Sequence, residues 1–255
     1  MTIHYHGTPI TPVSELLGMA GKNFCISYGT SSKSQVRVCH EIGQSVMVDN
    51  GAFSLWMKGI KGSAVKGANG GLVPPDWSDY YSWAEPWAAS RSTWFVIPDV
   101  IDGGSTVNDL LVKEWPVKSI PKSQAAPVWH MDEPIQRLLD LVRIGRWEKI
   151  CIGSSGRFRT VGSESWHRRM DTVFNRISDP SGRVPVWLHM LRGMRMCESY
   201  YPFSSVDSTD VARNYKERGD IITCADRWDK SQCPLVWHKK MEQNGFDFFG
   251  CEVNE

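Results

Sequence analysis

The chain has 255 residues, of which 41% are hydrophobic and 22% are charged, and its formal net charge is +1. These values suit one globular domain near the size at which α/β barrels are common. Because it has neither a run of about eighteen apolar residues nor a basic, apolar leader, we expect a soluble, cytoplasmic protein without a membrane partner. Seven irregularly spaced cysteines without a CxxC pair exclude a disulfide framework and a zinc finger.

The net charge of the chain is close to zero, but one segment is strongly basic. Residues 143–195 contain eleven lysines and arginines against four acidic residues, and we call this segment the basic sector. A solvated helical face is one explanation, and a phosphate-binding surface beside acidic chemistry is the other. Twelve tryptophans are also many for this length. Tryptophan and arginine are side chains that stack on unpaired bases, so the composition is compatible with a nucleic-acid partner.

Short and mostly continuous apolar runs recur along the chain, which is typical of strands buried on both faces of a parallel sheet. The histidines His4 and His6 precede the first of these runs. The runs predict eight strands, at residues 23–30, 45–51, 93–99, 126–131, 149–155, 184–190, 203–209 and 220–224.

Helical patterns separate several of the strands. Asp132 and Ser163 are the expected N-caps of the two clearest helices. The alternation predicts one α/β domain over residues 1–255, folded as a single TIM-type (β/α)8 barrel, and a doubly wound open sheet is the alternative. The predicted helices lie at residues 32–43, 78–90, 132–147 and 163–177.

The stretch 58–75 interrupts this rhythm, because it is rich in glycine and lysine and has little apolar periodicity. It predicts a long loop inserted in the barrel. Such a loop is either a disordered insertion or a lid that contacts phosphate.

Polar residues follow several predicted strands at the end where parallel barrels place functional side chains. Taken singly they can be turn residues, helix caps or core histidines. A hydrophobic core does not favour so many polar groups, so we interpret them as one site whose principal members are Asp49 and Asp207. The candidates are Asp49, Asn50, Gly51, Asp99, Asp102, His130, Asp132, Gly153, Ser154, Ser155, His189 and Asp207.

Two carboxylates can together cleave an N-glycosidic bond. One stabilises or attacks the cationic sugar carbon as the base departs, and the other transfers protons on the base or on water. A zinc hydrolase is a weaker alternative, because the HxH expected after the first barrel strand is missing and the HYH triplet, His4 to His6, precedes that strand. We therefore expect no metal and no cofactor.

The same segments resemble those of the tRNA-guanine transglycosylase superfamily, a group of (β/α)8 barrels that cleave a nucleobase from its ribose through an aspartate. "SSVDSTDVARN" is similar to the nucleophile segment, which implies that Asp207 faces C1′ and that Arg213 and Asn214 lie near phosphate. "VMVDNGAFSLW" looks like the Asp-Ser-Gly-Gly-Phe segment, which implies proton transfer by Asp49.

The resemblance also implies a base-binding set. "VIPDVID" is similar to the strand end whose aspartate hydrogen-bonds the base, "CIGSSG" to a glycine-containing strand end that contacts it, and "VPVWLHMLRG" occupies the place of a pocket-lining segment. His130 joins the set because it follows a strand. The expected base-binding residues are Asn50, Gly51, Phe53, Asp99, Asp102, His130, Gly153, Ser154, His189 and Met190.

The chain departs from the zinc-bearing members of that superfamily, because it has no CxCxxC segment. It is more similar to shorter, zinc-free relatives that act on DNA: deazapurine DNA-modification proteins, and antiviral glycosylases that excise glucosylated hydroxymethylcytosine from phage genomes. The resemblance therefore implies a DNA partner, with the target nucleotide flipped out of the helix or single-stranded. The expected backbone contacts are Lys58, Lys61, Lys66, Arg157, Arg159, Arg213 and Asn214.

Two outcomes of base cleavage are open. Ser154, Ser155 and His189 partly replace glycines that read guanine in the superfamily, so we favour hydrolysis of a modified base, which leaves an abasic site. Exchange for a 7-deazaguanine derivative is the alternative. A catalytically silent nucleic-acid-binding barrel is a hypothesis of another class.

Overall fold

A parallel sheet forms a nearly closed barrel surrounded by helices. The computed structural model describes residues 1–60 and 62–239. Two short strands, β4 and β5, pair only with each other in an antiparallel hairpin. The strands are β1 (Ile3–Gly7), β2 (Asn23–Ser27), β3 (Ser45–Asp49), β4 (Val65–Lys66), β5 (Leu72–Val73), β6 (Thr93–Val96), β7 (Ala125–Ala126), β8 (Val128–His130), β9 (Lys149–Gly153), β10 (Trp187–Met190) and β11 (Ser205–Ser208).

The helices lie outside the barrel and follow its strands along the chain. None of those in the described residues is both long and apolar enough to cross a membrane. The helices are α1 (Val13–Gly18), α2 (Lys33–Ile42), α3 (Ala52–Met57), α4 (Ser78–Ala84), α5 (Gly104–Glu114), α6 (Ile135–Arg143), α7 (Glu164–Ile177), α8 (Asp210–Arg218) and α9 (Ile221–Lys230).

The barrel closes through a strand that a proline divides. From β1, the sheet continues through β2, β3, β6 and β7 on one side and through β11, β10, β9 and β8 on the other. Only Pro127 separates β7 from β8, and its carbonyl accepts a hydrogen bond from the N–H of Cys151 at 2.9 Å. Counting β7 and β8 as one interrupted strand gives eight positions, so the predicted TIM-type barrel is confirmed at the level of the fold.

Side chains alternate between the two faces of the sheet. Tyr5, Met47 and Trp94 pack in a small cluster inside the barrel, whereas Leu188 and Met190 belong to the larger core between strands and helices. This alternation places inward-facing polar residues above the inner cluster, at the carboxyl end of the strands.

Two strand predictions are corrected by the structure. The segment 220–224 is not a strand but the start of α9, where the Asp220 side chain accepts the N–H of Thr223 as an N-cap. The barrel position assigned to it is taken by β1, which contains His4 and His6. These histidines do not precede the first strand. They lie within it and face residues of the C-terminal segment: His4 Nε2 is 2.7 Å from the carbonyl of Ser231.

The predicted helices are present with changed boundaries. Ser163 caps α7 by accepting the N–H of Trp166, as predicted. Asp132 does not cap α6, because Pro134 occupies the N-cap and the Asp132 carboxylate accepts the hydroxyl of Ser155 instead.

The insertion 58–75 is more ordered than a simple loop. Its central part forms the β4–β5 hairpin, and Asp102 anchors the segment before the hairpin by accepting the hydroxyl of Ser63 at 3.0 Å. The N–H of Ile101 also donates to the carbonyl of Gly62 at 2.8 Å. The insertion is therefore fixed to the loop after β6.

A buried ionic network joins two helices to the barrel. The Glu133 carboxylate accepts from Arg137 Nη1 at 2.7 Å, from the Asn108 amide at 2.9 Å and from the N–H of His130 at 3.0 Å. Arg137 also donates to the carbonyl of Val128 at 2.8 Å. Arg137 and Glu133 are almost fully buried, and Arg137 is balanced by two carboxylates, because its Nε also donates to Asp109 at 2.8 Å.

Replacing Glu133 by alanine should lower the free energy of unfolding by at least about 2 kcal/mol, because buried Arg137 Nη1, the Asn108 amide and the His130 N–H lose their shared acceptor. Urea denaturation of the variant and the wild type measures this loss. Glu164→Ala is the matched control, because Glu164 forms a surface ion pair with Arg168 and its removal should cost less than about 1 kcal/mol. Equal losses in the two variants would contradict this role of the network.

Candidate active site

Five of the predicted polar residues meet at the carboxyl end of the barrel, which we call the mouth. Asp49 ends β3, Asp99 follows β6, His130 ends β8, His189 lies in β10 and Asp207 lies in β11. His130 contacts Asp99 and His189 contacts Asp207, while the charges of Asp207 and Asp99 both act on Asp49. The topology thus gathers residues from five strands into one cluster.

A chain of hydrogen bonds orients Asp207. The indole N–H of Trp187 donates to the Ser205 hydroxyl at 2.7 Å, and this hydroxyl is 2.8 Å from His189 Nδ1. The Ser205 proton can therefore go to Nδ1, which leaves the proton of His189 on Nε2, 3.2 Å from Asp207 Oδ1. His189 is fully buried, so the chain fixes both the tautomer of the ring and the carboxylate that it faces.

Arg192 supplies a second donor to Asp207 from a strained backbone. Its φ of 57° lies in the left-handed region, which costs a non-glycine residue about 1–2 kcal/mol. In this conformation its N–H donates to Asp207 Oδ1 at 2.7 Å. Both donors meet Oδ1, and within residues 1–60 and 62–239 no hydrogen bond to Oδ2 is present. The second oxygen is therefore available to a ligand.

Asp99 is engaged by the protein on both oxygens. Its Oδ1 accepts from the Asn50 amide at 2.8 Å, and its Oδ2 is 2.9 Å from His130 Nε2. Burial tends to lower the pKa of His130, but the hydrogen bond and charge of Asp99 outweigh it and raise that pKa. Gly153 lets the ring approach closely, because a Cβ there would lie 3.0 Å from His130 Nδ1. His130 and Asp99 thus form a second histidine–aspartate pair.

The environment of Asp49 at the mouth shifts the pKa of its carboxyl group strongly. Burial, followed by the negative charge of Asp207 and with a smaller contribution from Asp99, raises the pKa of Asp49 to about 7. The N–H of Gly51 donates to its Oδ2 at 3.1 Å and acts in the opposite direction. At neutral pH Asp49 is consequently close to half protonated, which suits a group that donates and accepts protons.

The mouth is spanned by a contact between opposite sides of the barrel. The guanidinium carbon of Arg192, after β10, lies 4.3 Å from the ring centroid of Phe53 on α3, after β3. Its Nη2 is also 3.5 Å from the carbonyl of Ser154. Neither of two surface cavities, of about 360 and 310 Å³, is lined by Asp49 or Asp207. The contact therefore links the loop after β10 to the helix after β3 across the mouth.

Other predicted base-binding residues are placed differently around the cluster. Gly51 precedes α3 with a φ of 73°, a conformation that favours glycine. Ser154 accepts the indole N–H of Trp166, and Met190 packs in the outer core, so these two side chains face the helices. Asp102 is exposed and anchors the insertion.

The predicted backbone-contacting residues lie on several surfaces. Lys58 and Lys66 are exposed on the insertion, and Lys61 lies outside the described residues. Arg213 is exposed on α8, where the neighbouring Asn214 amide is held by Asp210 at 2.8 Å. Arg157 and Arg159 are exposed after β9, on the mouth side of the barrel.

Sequence reasoning missed three contributors to the site. Ser205 could have been found, because it lies two residues before Asp207 and therefore on the same face of β11. Tyr5 lies in β1, which the sequence does not predict as a strand. Its ring packs edge-on against that of His189 beneath the carboxylates, with the ring centroids 5.9 Å apart. Arg192 gave no sequence signal, because an arginine is not expected in a left-handed conformation.

Nowhere in residues 1–60 and 62–239 do three or more histidine, cysteine, aspartate or glutamate side chains form a group that could hold a metal ion. Comparison of the chain with protein-family models, with curated proteins and with solved structures finds no match.

Asp49→Asn should make folding more stable at pH 8, by up to about 4 kcal/mol, because the wild-type carboxyl must ionise in an unfavourable site. The folded protein retains this proton up to about pH 7, whereas an unperturbed aspartate, with a pKa of 3.8, releases it about three pH units lower. The wild type should therefore lose stability relative to the variant as pH rises from about 4 to 7. Urea denaturation at pH 5 and pH 8 measures the difference.

The matched control is Asp140→Asn, because Asp140 lies on α6 and hydrogen-bonds only Gln136 among the pairs described. This variant should follow the wild type at both pH values. An Asp49→Asn protein that is no more stable at pH 8 than at pH 5, relative to the wild type, would contradict the raised pKa.

Proposed function

We propose that the protein cleaves the N-glycosidic bond of a nucleobase, with Asp207 as the nucleophile or stabiliser of the cationic sugar and Asp49 as the proton donor and acceptor. The observation that carries this proposal is the pair of carboxyl groups at one mouth with different environments. Asp207 is oriented by two N–H donors and accepts no hydrogen bond on Oδ2 from the described part of the chain, whereas the pKa of Asp49 is raised to about 7. Such a difference between neighbouring carboxyl groups is what acid–base cleavage of a glycosidic bond requires.

The reaction balances with these two groups and one water molecule. As the bond between C1′ and the base breaks, its electron pair stays with the base and the proton of Asp49 neutralises it. Asp207 faces the positive charge that develops at C1′ or forms a bond to it. Water then adds its oxygen to C1′, displacing the Asp207 carboxylate with its electron pair where that bond has formed, and returns a proton to Asp49. The products are the free base and an abasic site.

We further propose that the substrate is DNA carrying a modified base and that the enzyme belongs with the zinc-free, tRNA-guanine transglycosylase-like barrels. Support comes from the motif resemblance and from the exposed arginines of the basic sector beside the mouth. A base must leave the duplex to reach a buried carboxylate, which costs a few kcal/mol that stacking and phosphate contacts offset. A glucosylated hydroxymethylcytosine in phage DNA is the substrate class that we favour, and the role would be antiviral defence.

Base exchange uses the same two carboxyl groups and differs only in what attacks C1′. His189 would bear on the choice if it lined the base pocket. In the structure it is fully buried beneath Asp207, and both of its ring nitrogens are engaged by Ser205 and Asp207. Its hydrogen bonds suit a role in orienting the Asp207 carboxylate. We keep hydrolysis as the main proposal and exchange as the alternative.

Asp207→Asn should reduce base release by at least about a thousandfold, because the amide can neither attack C1′ nor balance its charge. Mass spectrometry of bases freed from DNA with glucosylated, hydroxymethylated and unmodified cytosine measures release and identifies the base. Asp140→Asn is the control and should retain full activity. Equal release by Asp207→Asn and the wild type would overturn the assignment, and DNA binding without release by either protein would favour the silent barrel.

The rate of base release should fall as pH rises above about 7, by about tenfold per pH unit, because Asp49 loses the proton that it donates. Single-turnover rates between pH 5.5 and 9 on a DNA substrate measure this profile, with those pH limits chosen to bracket the expected pKa by about two units. Asp49→Asn should be slow at every pH and should lack the alkaline decline. A wild-type rate that rises through pH 7 would show that Asp49 acts first as a base.

A further inference from the structure

A second concave site lies beside the mouth. Its volume is about 310 Å³, and we call it the arginine cavity. It is formed by the turn after β9 and by one face of α7, both within the basic sector. The lining residues are Arg157, Phe158, Ser165, Arg168, Arg169 and Thr172.

Two of the arginines are held against one aromatic ring. Phe158 is buried, and the guanidinium carbons of Arg157 and Arg169 lie 4.8 and 5.3 Å from its ring centroid. Arg169 is fixed further, because its Nε donates to the carbonyl of Met131 at 2.9 Å and its Nη2 donates to the carbonyl of Glu133. The cavity is thus built on a rigid cation, with a second cation beside it.

The positive charge of the cavity is only partly balanced. Glu164 pairs with Arg168 on the exposed surface of α7, and the Asp132 carboxylate accepts the hydroxyl of Ser155. Arg157 has no salt bridge among the described residues. Burial, followed by the charge of Arg157, lowers the pKa of Arg169, which reports the repulsion between the two guanidinium groups. A bound anion would relieve this repulsion.

We infer that the arginine cavity binds a phosphodiester group of the nucleic-acid strand whose target nucleotide enters the mouth. Guanidinium groups donate in pairs to phosphate oxygens, and Arg157, Arg168 and Arg169 bring three of these groups to the lining of one cavity. The turn that carries Arg157 begins directly after Ser155, which follows β9 at the carboxyl end of the barrel. The cavity therefore lies on the side from which a strand would approach.

This inference rests on the proposed function for its choice of ligand, because a strand that presents a base to the mouth must run across the adjoining surface. A diffuse attraction between the whole basic sector and DNA is the competing explanation. Under the first explanation DNA affinity depends on where an arginine lies in the basic sector, and under the second it depends only on the number of charges. The chain offers a matched comparison, because Arg143 and Arg183 belong to the same sector but precede β9 and β10, at the opposite end of the barrel.

The test compares Arg157→Ala/Arg168→Ala with Arg143→Ala/Arg183→Ala, since all four side chains are exposed and both variants lose the same charge. Fluorescence anisotropy with an unmodified single-stranded DNA oligonucleotide, at several salt concentrations, gives the dissociation constants. The cavity variant should bind about tenfold more weakly at low salt, and its slope of log affinity against log salt should fall by about 1.4. The control should stay within about twofold of the wild type.

Equal weakening by both variants would overturn the inference in favour of diffuse attraction, and so would an unchanged salt slope in the cavity variant. A phosphoserine peptide that displaces the oligonucleotide and binds more tightly would overturn the choice of nucleic acid. Assays of base release separate this result from the proposed function. A protein that releases no base but shows the positional difference retains the cavity, and one that releases base without that difference retains only the active site.

Discussion

Three carboxyl groups share the mouth of the barrel, and their mutual repulsion at low solvent exposure is the constraint around which the rest is arranged. Each of the three carboxyl groups is accommodated by a different set of neighbours. Asp207 faces two N–H donors, and Asp99 is held between an amide and an imidazole. Asp49 accepts the N–H of Gly51, but burial and the charges of its neighbours raise its pKa to about 7. One arrangement of charge thus produces groups with different chemical roles.

The layer beneath these carboxyl groups makes the arrangement possible. Tyr5, Trp94 and His189 fill the barrel interior with aromatic rings, and the Tyr5 hydroxyl accepts the Trp94 indole N–H at 2.9 Å. These three residues are almost fully buried, so the carboxyl groups rest on a packed aromatic layer. The left-handed backbone of Arg192 also supports this arrangement. The free-energy cost of that conformation is offset by the hydrogen bond that its N–H donates to Asp207.

The sequence predicts the fold where burial alone determines it. Runs such as 45–51 and 149–155 are apolar on both faces, and their polar ends locate Asp49 and the neighbourhood of Gly153. The sequence does not predict elements whose stability depends on residues far away along the chain. β1 contains the polar residues His4 and His6, and their partners lie more than two hundred positions away. The segment 220–224 is short enough to fit either a strand or a helix. The pairing of Arg192 with Phe53 depends entirely on tertiary structure.

The partners of β1 connect early and late parts of the chain. The Thr2 N–H donates to the Gln232 side chain at 2.7 Å, its hydroxyl accepts the N–H of Cys233 at 3.0 Å, and His6 reaches Asp229. During synthesis, residues 2–6 leave the ribosome long before the residues that complete their hydrogen bonds. β1 pairs with β11, so one edge of the first strand has no partner until residues 205–208 have been synthesised, and the barrel closes only after that.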